Sequence, residues 1–261
     1  MTDSAPRQVP SYEVHTLAPR ASRYCIAVPV INEGERILRQ LRKMQEHHGL
    51  ADVIIADGGS TDGSMDPEGL RLLGVRTLLV KTGPGRLGAQ IRMAFDYALK
   101  EGYAGVVLVD GNDKDETAEA ARFIAALEEG FDFVQGSRFI PGGKAIRNPA
   151  SRVWGIRLLH APAISLSAGV RYTDTTNGFR AYSRRLLEDP RVAVFRDVLA
   201  GYELHYYLAI RAARIGLRVK EVPVTRIYPE DGSVPTKIGG WRGNVRILGV
   251  LGATCLHRFD P

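Results

Sequence analysis

The chain has 261 residues, 44% hydrophobic and 25% charged, with a formal charge of +6. This is the balance of a globular enzyme with one large α/β domain or two small ones. No uninterrupted apolar run reaches ~18 residues and none at the N-terminus has signal-peptide character, so neither a transmembrane helix nor a signal peptide is expected. The two cysteines, Cys25 and Cys255, have no metal-ligand spacing and fit a reduced, cytoplasmic protein.

Residues 1–22 are rich in Pro, Ser, Thr and Arg without periodicity and read as a flexible extension. Tyr24–Val30 is a short apolar run, the pattern of a buried parallel strand. Asn32 is placed to cap a helix running to about His48, with Glu33 and Glu35 in its first turn, where the helix dipole favours acids. Asp52–Ala56 predicts a second strand, ending in the turn residues Asp57-Gly-Gly-Ser-Thr-Asp-Gly63. Further strands are expected at Val75–Val80, Gly105–Val109 and Phe131–Val134, and helices at Gly85–Leu99 and Thr117–Glu129. Such alternation predicts a mostly parallel sheet with right-handed crossovers. Beyond it, helices are expected near Ser151–Gly169, Tyr202–Ile215 and 241–256, strands near Gly178–Tyr182 and Leu217–Val224, and a loop over 225–240.

Two stretches hold bases and no acids: 133–173, with Arg138, Lys144, Arg147, Arg152, Arg157 and Arg171, and 232–259, with Lys237, Arg242, Arg246 and Arg258. They suit an anionic partner such as a pyrophosphate, a lipid phosphate or the inner face of a membrane. No aromatic-interleaved basic motif supports nucleic acid. Val153–Val170 and Val245–Leu256 are expected as amphipathic helices packed on the core, with a helix lying on a membrane surface as the alternative.

Ligands of an open α/β sheet bind beyond the carboxyl ends of its strands. Here those ends carry Asn32-Glu33, then Asp57 to Asp62, then Asp110-Gly111-Asn112-Asp113-Lys114-Asp115. Hard oxygen ligands of this kind suit Mg²⁺ or Mn²⁺ bridging phosphates. Neither a phosphate-gripping Gly-x-x-x-x-Gly-Lys loop nor a Gly-x-Gly-x-x-Gly turn follows the first strand.

These residues also match a family pattern. Val28-Pro-Val-Ile-Asn-Glu33, Asp57-Gly-Gly-Ser-Thr-Asp-Gly-Ser64, Gly85-Arg-Leu-Gly88 and Asp110-Gly-Asn112 resemble successive motifs of inverting family-2 glycosyltransferases. Gly136-Ser-Arg-Phe139, Asp174-Thr-Thr-Asn-Gly-Phe-Arg180 and Glu221-Val-Pro-Val224 are similar to the dolichyl-phosphate mannosyltransferase-like branch. The likeness covers roughly residues 24–240. It implies a GT-A fold: a single compact α/β domain with a Rossmann-like, mostly parallel sheet flanked by helices. Residues 23–137 would form the nucleotide-sugar half and 138–261 the acceptor half. It further implies a UDP- or GDP-linked sugar donor, a polyprenyl-phosphate or glycan hydroxyl acceptor, and Mg²⁺ or Mn²⁺.

On this resemblance Pro29, Glu33 and Asp57 line the base and ribose, Arg86, Gly88 and Gly111 flank the donor, and Asp110 and Asn112 approach the metal. Asn112 stands where the family carries a second acid, and Asp113 or Asp115 is available to complete the site. Arg138, Arg180 and Lys237 would orient an acceptor phosphate. Glu203 is the first choice of general base for a hydroxyl acceptor and Asp174 the second; the alternative for Glu203 is a helix-terminal acid held by the dipole. His205, two residues on, is expected to be structural. The rivals are a non-catalytic nucleotide-sugar-binding module and a sugar nucleotidyltransferase.

Overall fold

The computed structural model describes residues 6–47, 49–230 and 240–261. In chain order, the first half runs β1 Tyr12–Thr16, β2 Tyr24–Val30, α1 Glu35–Gln45, β3 Asp52–Asp57, α2 Pro67–Leu72, β4 Val75–Lys81, α3 Leu87–Lys100, β5 Gly105–Leu108, a 3₁₀ turn Thr117–Glu119, α4 Ala120–Glu128 and β6 Phe133–Ser137. The second runs β7 Lys144–Ile146, α5 Ala150–Gly155, a π turn Ile156–His160, α6 Ala161–Ala168, β8 Arg180–Ser183, α7 Arg184–Glu188, α8 Glu203–Arg214, β9 Val219–Pro223, β10 Thr225–Ile227 and α9 Gly240–Cys255.

One sheet of order β1-β4-β3-β2-β5-β8-β6-β9 carries the fold, and β10 pairs with β7 in a small second sheet. β4, β3, β2 and β5 are parallel, as the sequence predicts. β8 enters antiparallel between β5 and β6, so the second half of the chain completes the sheet begun by the first. Side chains alternate across it. Cys25 and Ala27 of β2 join Ile91 and Phe95 of α3 in one core layer, and Ile26 and Val28 join Ile37 and Leu41 of α1 in the other. Each fully buried aliphatic or aromatic side chain of this kind stabilises the fold by roughly 1.5–3 kcal/mol.

Several expectations need correction. The N-terminal segment is not loose over its described length, because β1 pairs antiparallel with β4, from Tyr12 opposite Lys81 to Thr16 opposite Thr77. Its polar side chains find partners on α3: Arg7 pairs with Asp96 at 3.0 Å, and Tyr12 donates to the same carboxylate at 3.2 Å. These partners lie more than 80 residues away, so nothing local in the sequence announces the strand. Asn32 does not cap α1. Gly34 takes that position, while Asn32 sits at φ 50° and its side-chain oxygen accepts from the Thr61 N–H at 2.8 Å. The helix α2 was not anticipated; Asp66 caps it, accepting from the Gly69 N–H at 2.7 Å, with Pro67 in the first turn. Part of the expected 225–240 loop is strand, as β10. The helix expected over Ser151–Gly169 is α5, the π turn and α6 in succession, ended by Gly169 at φ 73°. Among the described residues no helix is long and apolar enough to cross a membrane.

Candidate active site

Pro29 lies within β2, opposite Ala56 of β3. It tolerates a central strand because the pairing of β2 with β5 stops at Ala27, so no ladder bond needs its missing N–H. Asp57 ends β3 and is 2% exposed. Its carboxylate accepts from the Gly59 N–H at 3.1 Å, the Ser60 N–H at 2.9 Å and the Ser60 hydroxyl at 2.6 Å. This loop is tied to the end of β2, since Ser60 Oγ accepts from the Asn32 N–H and Asp62 from the Gly34 N–H. Glu33 pairs with Arg36 at 2.8 Å. Beneath them, buried Gln90 donates to the carbonyls of Val30 and Ala56, joining the ends of two strands. Sequence reasoning passed over Gln90, whose only signal is a polar residue on the buried side of a helix.

Arg86 is exposed at the start of α3. Gly88 is buried where α3 meets the 199–201 backbone; a Cβ there would lie 2.4 Å from the Leu199 carbonyl oxygen. Gly111 is similarly enclosed, with Val30 Cγ2 at 2.9 Å from a Cβ position. Both glycines therefore have a packing reason to be glycine.

Asp110 follows β5 with its side chain 29% exposed. Asn112 Nδ2 donates to Asp110 Oδ2 at 3.3 Å, while Asn112 Oδ1 is buried with no hydrogen-bond partner. Asp113 points elsewhere, pairing with Arg39 at 3.0 Å and Lys43 at 2.8 Å on α1. Asp115 is fully buried against Arg226 of β10, whose other nitrogen reaches Asp110 Oδ2 at 3.2 Å. Burial would raise the Asp110 carboxyl, but Arg226 and Lys114 outweigh it and hold it below the usual carboxylate range. For Asp115 burial wins over Arg226, and its carboxyl is pushed up. Burial would lower the Arg226 guanidinium, but the two carboxylates raise it, so it stays charged.

His205 of α8 was expected to be structural, yet it lies within electrostatic range of Asp110. Burial and Arg180 push its imidazole down to about 3, so it is neutral at physiological pH. Its Nδ1 has no hydrogen-bond partner. Arg226 did not stand out in the sequence, because only the folded sheet brings it to Asp110.

The expected phosphate ligands lie deeper than predicted. Arg138 is 5% exposed and grips Asp174 with Nε at 2.6 Å and Nη2 at 2.9 Å. Burial would raise the Asp174 carboxyl, but Arg138 and the surrounding N–H donors hold it below the usual range. Arg180 is 1% exposed and donates to the carbonyls of Asn177, Thr175 and His205. In this structure both arginines brace the 173–178 turn instead of facing solvent, and Asp174 is not an open base. Glu221 supports the same turn, accepting from the Thr173 and Asp174 N–H groups at 2.8 and 3.1 Å. Glu203 opens α8, and its Oε1 accepts from the Gly201 N–H, a helix-terminal contact. Lys237 lies outside the described residues.

A cation fits beside Asp110 on one observation, the buried and unpartnered Asn112 Oδ1 next to a partly open carboxylate. Asp113 and Asp115 are already engaged, and no cluster of three or more His, Cys, Asp or Glu suited to a metal occurs among the described residues. Remaining ligands would have to come from a diphosphate or water.

A sequence profile described as Glycosyl transferase family 2 matches residues 25–190. The chain belongs to this family. The transferase is 32% identical over 218 residues to undecaprenyl-phosphate mannosyltransferase of Micrococcus luteus, an alignment covering 80% of this chain and 86% of that one. It is 28% identical over 222 residues to polyprenol monophosphomannose synthase of Mycolicibacterium smegmatis, covering 80% and 79%. Among solved structures it resembles glucosyl-3-phosphoglycerate synthase from Mycobacterium tuberculosis in complex with Mn²⁺, UDP-glucose and phosphoglyceric acid, at a TM-score of 0.60 and 19% identity over 90% of this chain and 80% of that one. That likeness bears out the GT-A fold. The family and the relatives bear out a glycosyltransferase of the polyprenyl-phosphate mannosyltransferase-like branch.

Proposed function

We propose that the transferase moves a sugar, with inversion, from a UDP- or GDP-linked donor to a polyprenyl phosphate. The observation that carries this reading is the convergence of the Asp57 loop and the Asp110–Asn112 pair on one edge of the parallel strands. Residues 23–137 would form most of the donor half. Pro29, Glu33 and the Asp57 loop would line base and ribose, Arg86 would reach the donor from the rim, and Gly88 and Gly111 would let backbone approach closely. Asp110 and Asn112 would hold Mg²⁺ or Mn²⁺ together with the diphosphate. That cation would offset charge growing on the departing diphosphate.

The protein's own residues would orient the two partners. A phosphate acceptor is already anionic, so no general base is needed, and the relatives named for polyprenyl phosphates favour that acceptor. Arg138, Asp174 and Arg180 would then position the acceptor turn, and Lys237 would meet the phosphate. For a hydroxyl acceptor, Glu203 would be the base. Peripheral membrane contact fits the same acceptor. Trp154, Leu158, Leu159 and Leu166 are exposed on the α5–α6 stretch and Leu256 just beyond α9, with Arg157 and Arg258 exposed nearby in sequence. Such a mixture suits an anionic lipid surface.

The test is thermal stabilisation by nucleoside diphosphates, with and without Mn²⁺ or Mg²⁺, because a ligand selective for the folded state raises Tm. A metal-enhanced shift with UDP or GDP is expected. No shift with any nucleotide would instead favour a degenerate, non-catalytic module and count against Asp110 and Asn112 as a metal site.

A further inference from the structure

We infer that Arg226 makes divalent-cation binding at Asp110 conditional on a nucleoside diphosphate. The inference rests on the donor-site reading above and adds a residue that sets the order of binding. Arg226 is fixed in place by backbone as well as side chain. It forms an isolated antiparallel bridge with Asp115, while the flanking Ile227 N–H donates to the Lys114 carbonyl at 2.7 Å and the Glu116 N–H to the Thr225 carbonyl at 3.1 Å. Its side chain is 8% exposed and spans both acids, Nη1 on Asp115 and Nη2 on Asp110 Oδ2 at 3.2 Å.

The consequence is electrostatic. A cation coming from water finds one partly open acid, Asp110, and one of that acid's oxygens already accepts from a guanidinium. Asp115 is fully enclosed. Asn112 offers a carbonyl oxygen without charge. With one Asp110 oxygen held by the guanidinium and Asp115 shut away behind it, little open carboxylate is left to strip water from Mn²⁺ or Mg²⁺. A diphosphate brings the missing negative charge and further oxygen ligands. Cation and nucleotide then assist each other, and by linkage each raises the other's affinity by the same factor.

The experiment follows free Mn²⁺ by electron paramagnetic resonance, with protein alone and with protein plus UDP or GDP, corrected for Mn²⁺ held by nucleotide in solution. The wild-type protein is expected to bind Mn²⁺ at least about tenfold more tightly in the presence of the nucleotide it accepts. The double variant Arg226→Met with Asp115→Asn removes the guanidinium without stranding a buried charge. It should bind Mn²⁺ alone about tenfold more tightly than wild type, and the nucleotide should add correspondingly less. Asp115→Asn alone keeps Arg226 on Asp110 and should show no gain. If the methionine variant does not fold by circular dichroism, Arg226→Gln with Asp115→Asn carries the same expectation. Equal Mn²⁺ affinity of wild type with and without a bound nucleotide, or no gain on removing Arg226, would overturn the inference. Failure of every nucleotide to bind would count against the donor site itself, whereas the nucleotide-free comparison of wild type and variant still decides the effect of Arg226.

Discussion

Asp57 and Arg138 are both buried and both hydrogen-bonded, but they are held over different spans of chain. Asp57 is anchored by Gly59 and Ser60, two and three residues away. Arg138 depends on Asp174, 36 residues on, and Arg226 reaches back 111 residues to Asp115 and 116 to Asp110. The parallel edge thus carries loops that nearly shape themselves, while the second half is closed by ion pairs that exist only once the sheet is complete. Local loops lose a bond at a time. Buried long-range pairs fail as units, because removing one partner leaves an uncompensated charge.

The largest expected effect breaks that comparison directly. Arg138→Ala should lower stability by about 3–5 kcal/mol, since Asp174 is wholly buried. Asp57→Asn, which keeps the shape and one acceptor oxygen, should cost only about 1–2 kcal/mol. Urea unfolding of both variants measures the gap, and equal losses would mean that the local loop and the long-range pair fail alike.

Gly88→Ala probes where the two regions meet. Its Cβ would be 2.4 Å from backbone at Leu199, so α3 or the 199–201 segment must shift, at a cost of about 1–3 kcal/mol. Its melting temperature should fall, and donor binding should weaken with it because the helix start moves.

A pH series sharpens the contrast. Burial would raise the Asp132 carboxyl, but Arg185, the Ser183 hydroxyl and the Arg218 N–H hold it below the usual range. In the unfolded chain the same group takes up its proton near pH ~4. Its contribution is therefore present above that pH and lost as pH falls through the lower folded value. Asp132→Asn should flatten the dependence of unfolding free energy on pH below about 4. An unchanged slope would show that Asp132 adds no pH-dependent stability.

Glu203→Gln should be the mildest change to stability, within about 0.5 kcal/mol, because the amide oxygen can still accept from Gly201. Its effect on turnover separates the acceptors. With a phosphate acceptor kcat should persist, whereas loss of a general base would reduce it by about 10² or more.

The donor edge was legible for a physical reason. Buried parallel strands need continuous apolar runs, and the polar residues that end them stand next in the sequence, so Asn32, Asp57 and Asp110 could be assigned to one edge before any fold was known. Packing of α3 explains what was only half legible: Gly88 was expected at the donor, and the structure gives it a separate reason to be glycine, the backbone of 199–201.

The sequence by itself determined the α/β alternation, the polar edge and the family, because each is written in residues close together in the chain. Tertiary structure alone decided that residues 12–16 close the sheet edge, that β8 enters antiparallel, that Arg138 and Arg180 brace a turn, and that Arg226 pairs with Asp110. For the sheet edge, β8, Arg138 and Arg226 the stabilising partner is distant in sequence, and the burial that makes a charge seek a partner does not exist until the sheet has formed.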